Sequence, residues 1–132
     1  MWIPDTNVWI RYLNPQPSSV KPHFLRHPAN KIFLCDVVKA ELYFGAFKSA
    51  RQDENLALLD ELNNGFSSLP FDGNAARHFG RIRAELSKAG TPIGPYDLQI
   101  AAIALSHGLT LVTHNTKEFS RVKALKLEDW ET

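Results

Sequence analysis

The 132 residues are 44% hydrophobic and 22% charged with a single cysteine, which excludes a disordered tail, a coiled coil and a disulfide-stapled miniprotein. Against 15 lysines and arginines stand 14 aspartates and glutamates, a formal charge of +1, so nucleic-acid binding would have to rest on a local basic patch. No apolar run approaches the roughly 18 residues of a membrane span and no signal-like stretch opens the chain, so one cytoplasmic domain over residues 1–132 is expected.

Met1 to Pro4 is short and apolar, and Val8, Trp9, Tyr12 and Leu13 follow at helical spacing, so the chain should turn from strand into helix at Asp5-Thr6-Asn7. An acid there either caps the helix or faces a ligand beyond the carboxyl end of a strand, where open α/β sheets bind. Prolines in Asn14-Pro15-Gln16-Pro17 end that helix, and a short one is expected from Ser18 or Ser19 to about His27. His23 and His27 are one turn apart, but nothing completes a zinc site and both read as surface residues.

Ile32 to Leu34 reads as the second strand, with Asp36 as N-cap of a helix from Val37 to about Ala50, and Cys35 as a buried small hydrophobe. Within that helix Glu41 has Val37, Val38, Phe44 and Gly45 one turn away. A carboxylate interrupting an apolar stripe is costly to bury unless a positive partner such as a metal ion meets it. Val38, Leu42 and Gly45 should face the core, while Ala40, Phe44 and Phe47 form a surplus stripe that suits a partner surface.

Asp53 opens a helix carrying Leu56, Leu59 and Leu62, closed at Asn63-Asn64-Gly65, and Phe66 to Phe71 reads as the next strand. Ala75, Phe79, Ile82, Leu86 and Ala89 then share one face of a long helix that Gly90 ends. Its other face holds Arg77, Arg81 and Lys88 with Arg83 at the edge; each reads singly as solvated, and together they are candidate phosphate contacts. Pro95 should begin the following helix, placing Asp97 in its first turn, where free N–H groups help keep the carboxyl ionised. From Leu98 to Leu105 that helix is apolar nearly all round, as expected of one packed on two sides. Leu109 to Thr113 is the last core strand and delivers His114-Asn115-Thr116-Lys117-Glu118-Phe119 into a turn, with an edge strand in Leu125 to Trp130. Acids following several strands, with helices between, imply an α/β fold: a central, mostly parallel sheet flanked by helices, with carboxylates clustered at its carboxyl edge.

The ordered set Asp5-Thr6-Asn7, Glu41-Leu42-x-x-Gly45, Gly94-Pro95-Tyr96-Asp97 and Thr113-His114-Asn115-Thr116-Lys117-Glu118-Phe119, with Arg81-Ile82-Arg83-Ala84-Glu85-Leu86 between, resembles the PIN-domain ribonucleases, specifically VapC-type toxins of toxin–antitoxin operons. The resemblance spans essentially the whole chain. It implies a PIN-like three-layer fold and a Mg²⁺- or Mn²⁺-dependent endoribonuclease. It also implies a homodimer that forms a heterotetramer or larger assembly with a small antitoxin. Asp5, Glu41 and Asp97 fall on the family's three acids and Glu118 best matches the fourth, while Thr6 and Asn115 fall on supporting polar positions. An all-carboxylate set suits a hard cation. Asp5 and Asp97 are the expected ligands; Glu41 would position a metal-bound water or a second ion, Glu118 would help through water, and a proton-shuttling His114 is the less favoured reading. By the same likeness an antitoxin would lie on Phe44 and Phe47, while the basic helix face of Arg77, Arg81 and Lys88 would take RNA phosphates. Pro4 stands where the family has an aliphatic residue and removes a backbone donor, which puts the last ladder bond of its strand in doubt. The rival reading is a nucleic-acid-binding module of the same fold that cuts little or nothing and works with a DNA-binding partner.

Overall fold

The computed structural model describes residues 1–131; Thr132, the last position of the expected 1–132 domain, lies outside the described residues. Two strands set the frame. β1 (Trp2–Pro4) pairs in parallel with β4 (Thr110–Val112), and β4 pairs in parallel with β5 (Lys126–Glu128). On the other side of β1, a parallel bridge from Trp2 to Ile32 and a bond from the Phe33 N–H to the Trp2 carbonyl (2.9 Å) lead to β2 (Leu34–Cys35), which pairs in parallel with β3 (Ser68–Leu69). Every pairing is parallel, so each crossover needs a helix.

Those helices are α1 (Thr6–Leu13), α2 (Val20–Arg26), α3 (Asp36–Lys48), α4 (Gln52–Gly65), α5 (Gly73–Ala89), α6 (Pro95–His107) and the single turn α7 (Thr116–Phe119). Successive residues Ile3 and Pro4 of β1, and Leu111 and Val112 of β4, are all buried. Neighbouring residues of a strand point to opposite faces, so both faces of the sheet are covered, as in a three-layer α/β fold. The central core gathers Ile3, Val8, Trp9, Leu34, Val38, Ile100, Ile103 and Leu111. Trp9 is wholly buried among Tyr12, Phe24 and Phe66, whose rings approach it edge-on or tilted at 4.9 to 5.9 Å. Truncating such a residue to alanine typically costs about 3 to 5 kcal/mol. α6 is buried continuously from Ile100 to Ala104 and packs against α5, where Ile82, Leu86, Leu98 and Ala102 form a second cluster. Gly90 and Gly108 end these two helices with φ of 72° and 64°, a left-handed conformation that glycine takes without strain.

Several local expectations need correction. The second strand lies at Leu34–Cys35 rather than Ile32 to Leu34, because Ile32 and Phe33 meet β1 only through one isolated bridge and its backbone bond. Cys35 occupies the cap position of α3; Asp36 is already helical and its carboxylate accepts from the Ser68 hydroxyl instead. The expected strand from Phe66 to Phe71 contracts to Ser68–Leu69, since α4 runs through Gly65 and uses Phe66 as its C-cap. Gly45 and Ala89 are exposed rather than core-facing. His23 and His27 are half-buried, with rings stacked parallel to Trp130 at 5.4 and 5.0 Å, so they pack rather than lie on the surface. Pro4 does not break the ladder to β4, because the Asp5 N–H donates to the Val112 carbonyl at 2.9 Å. The donor that proline lacks would point the other way, toward β2, where pairing has already lapsed. No helix among the described residues is long and apolar enough to cross a membrane.

Candidate metal centre

The pairing of Pro4 with Val112 puts the residues just after β1 and β4 side by side. Asp5 is therefore both helix cap and site residue: its Oδ1 accepts from the Val8 N–H at 3.1 Å, and its backbone stays extended. It is 92% shielded from solvent, with 8% relative exposure. That burial pushes its carboxyl above the ordinary range, the hydroxyl of Thr113 and the Val8 amide pull it back, and the charges of Glu131 and Glu41 push it further up. Thr113, fully buried at the end of β4, escaped sequence reading because nothing marks a threonine at a strand end.

Glu41 reaches the same edge from mid-α3. The Thr6 hydroxyl donates to Glu41 Oε1 at 2.6 Å and so sets the direction of that carboxylate. Asp97 projects from the first turn of α6, behind Pro95 at its start. Its carboxyl is pushed up to about 6, first by loss of solvent and then by the charges of Asp5, Glu118 and Glu41. The helix N-terminus favours the ionised form of Asp97, while burial and three neighbouring anions act in the opposite direction. Glu118 lies in α7, where the Asn115 side-chain amide donates to its Oε2 at 2.8 Å. The charges of Asp5, Glu118 and Glu41 all act on Asp97, and the two polar side chains read as supports hold Glu41 and Glu118.

Asp5 and Asp97, both held above the ordinary carboxyl range by burial and by neighbouring anions, are short of positive charge. With Glu41 and Glu118 they fit a hard divalent cation such as Mg²⁺ or Mn²⁺, and no nitrogen or sulfur ligand stands among the four. Two depressions flank the cluster. One, of about 650 Å³, is polar and bordered by Asp5, Asn7, Arg11, Asn14, His114, Asn115 and Glu131. The other, of about 410 Å³, is an apolar groove between α1, α3 and α4 bordered by Ile10, Leu13, Glu41, Leu42, Ala46, Leu58 and Leu59. On the outer side of α3, Phe44 and Phe47 are 68% and 59% exposed, so the surplus stripe is indeed left unburied. Among the basic residues of α5, Arg77, Arg81 and Lys88 are all exposed, but Arg81 already pairs with Glu85 at 3.2 Å.

The family model described as PIN domain matches residues 3–125. Among curated proteins, the chain is 42% identical to the tRNA(fMet)-specific endonuclease VapC of Shigella flexneri, over 96% of this chain and 95% of that protein. It is 40% identical to ribonuclease VapC2 of Haemophilus influenzae over the same shares. Among solved structures, DNA-bound VapBC from Salmonella typhimurium superimposes with a TM-score of 0.91 at 37% identity, covering 98% of this chain and 97% of that one.

Proposed function

The chain belongs to the PIN-domain family, alongside the VapC ribonucleases, and we propose that it is a Mg²⁺- or Mn²⁺-dependent endoribonuclease, the toxin of a VapBC-type pair. The observation that carries the metal dependence is Asp97, whose carboxyl is held up to about 6 by burial and by Asp5, Glu118 and Glu41, a strain that a bound cation would relieve. Asp5 and Asp97, the two acids with raised affinity for protons, would hold the ion directly. Glu41, steered by Thr6, and Glu118, steered by Asn115, would orient water around it. When bound, the ion supplies Lewis-acid chemistry, lowering the pKa of a water in its shell and offsetting charge on the phosphate under attack. Asp5 contributes rigidity as well as charge, because the Val8 amide and the Thr113 hydroxyl fix its carboxylate before substrate arrives.

RNA is the substrate, and the relatives named tRNA(fMet)-specific endonucleases make initiator tRNA the first candidate. Arg77, with Arg81 and Lys88, is proposed to hold the phosphate backbone. A small antitoxin is the partner, since the structural relatives are VapBC complexes. Phe44 and Phe47 are proposed as its apolar anchors, with a basic side chain of the antitoxin set against the carboxylates. Homodimerisation and a cytoplasmic location complete the reading. DNA-bound relatives favour a second role for the complex, on DNA through the antitoxin, but an Asp97 surrounded by the charges of Asp5, Glu118 and Glu41 suits a nuclease better than a silent binding module. Incubating the purified chain with total tRNA and mapping the ends tests the substrate: a cut confined to initiator tRNA is expected, and uniform degradation would remove that assignment.

A further inference from the structure

The polar depression beside Asp5 has a second set of ligand-type side chains on its wall. β4 and β5 run in parallel with Val112 opposite Glu128, so the residues that follow the two strands come out together: His114 after one, Asp129 and Glu131 after the other. One ligand atom from each of the three lies within 4.8 Å of the other two. Asp129 is held from both sides, its Oδ1 accepting from the Glu131 N–H at 2.9 Å and its Oδ2 from His114 Nδ1 at 3.1 Å. Ligand atoms about 2.1 Å from a tetrahedral ion lie about 3.4 Å apart, so the His114–Asp129 edge is already near the required span. Glu131 is mostly shielded, its side chain 12% exposed, and its carboxylate already holds a cation, Arg11 Nε at 2.7 Å.

We propose that His114, Asp129 and Glu131 form a separate site for one borderline divalent cation, Zn²⁺ being the best match. A nitrogen with two carboxylates suits Zn²⁺, and water in the fourth position completes a tetrahedron. The all-oxygen set around Asp97 suits Mg²⁺ instead, which keeps the two sites chemically distinct. The ion takes the place of the proton shared by His114 and Asp129 and competes with Arg11 for Glu131. Because Glu131 and His114 line the same depression as Asp5, a filled site stands beside that carboxylate. The inference does not depend on the nuclease reading.

Titrating the full chain with ZnCl₂ by calorimetry, and with Co²⁺ by visible absorption, tests it. The Asp97→Asn variant is the background, since it weakens the oxygen-only centre. One Zn²⁺ per chain is expected there, with the intense visible bands of tetrahedral Co²⁺. His114→Ala should weaken Zn²⁺ at least tenfold and abolish those bands, while Arg11→Ala should tighten Zn²⁺ several-fold by removing the competing cation. The His114 side chain is 64% exposed, so its loss should leave the melting temperature unchanged. Unaltered Zn²⁺ binding in His114→Ala would overturn the site, as would Zn²⁺ binding that Asp97→Asn alone abolishes, or weaker binding in Arg11→Ala.

Discussion

The Thr6 hydroxyl and Glu41 Oε1 are joined at 2.6 Å across the contact between α1 and α3, so a residue next to one acid fixes the direction of another. Thr6→Val keeps the shape and removes the donor. Losing a hydrogen bond that orients a metal-site ligand typically costs 10- to 100-fold in activity, so RNA cleavage should fall by about that factor while Thr6→Ser stays near wild type. Wild-type turnover in Thr6→Val would mean that the direction of Glu41 is immaterial.

Asp97 makes the stability of the metal-free protein depend on pH. Its carboxyl rises from an ordinary 3.8 to about 6 on folding, so over that interval the native state binds more protons than the unfolded chain. Stability in chelator should therefore fall as pH climbs from about 4 through 6 and stay low above, the reverse of a salt-bridged aspartate. Urea midpoints should be higher at pH 5 than at pH 7.5. Asp97→Asn should show a smaller difference, and Mg²⁺ at pH 7.5 should recover the wild-type loss. Equal pH dependence in the two proteins would put the cause elsewhere.

The rings of Phe44 and Phe47 stand on the outer side of α3, with Lys48 lying 5.7 Å from the Phe44 ring centre, so neither belongs to the core. Truncating both to alanine should change stability by no more than about 1 kcal/mol, the usual scale for two surface sites. Affinity for the cognate antitoxin should drop by about 4 kcal/mol at roughly 2 per aromatic anchor, near a thousandfold in Kd. Cleavage by the free chain should persist. Undiminished inhibition by antitoxin would remove Phe44 and Phe47 from the partner surface.

Arg77 and Arg81 are both exposed on α5, but among the described residues only Arg81 of the two has a carboxylate partner, Glu85 at 3.2 Å. Reversing Arg77 to Glu should therefore weaken RNA binding more than reversing Arg81, and should reduce the slope of log Kd against log salt by about 1. Magnesium affinity should be unaffected. An unchanged slope would mean that RNA approaches along another face.

The parts legible in sequence were those where one residue does two jobs. Asp5 was visible because a strand-to-helix turn needs a cap, and Glu41 because a lone acid in an apolar stripe needs a counter-charge. Strand ends were harder: β2 and β3 have two residues each, too short for an alternation to register, and Phe66 looked like strand while serving as the cap of α4. The role of Thr113 depends on the register of β1 with β4, and the His114, Asp129 and Glu131 group on that of β4 with β5, so neither shows in local sequence. The degree to which Asp97 resists ionisation also depends on three anions distant in sequence, which local reasoning about a helix N-terminus could not weigh.

Cleavage of RNA should depend on a divalent cation that the acids around Asp97 would hold. The most direct test is the rate of tRNA cleavage by purified wild type and Asp97→Asn, each in EDTA and in excess Mg²⁺ or Mn²⁺, alongside their melting curves. The account predicts no cleavage in EDTA, full recovery for wild type on adding the ion, a loss of at least a hundredfold in Asp97→Asn, and a metal-free melting temperature for the variant no lower than wild type. Cleavage that persists in EDTA, or at the wild-type rate in a folded Asp97→Asn, would contradict it.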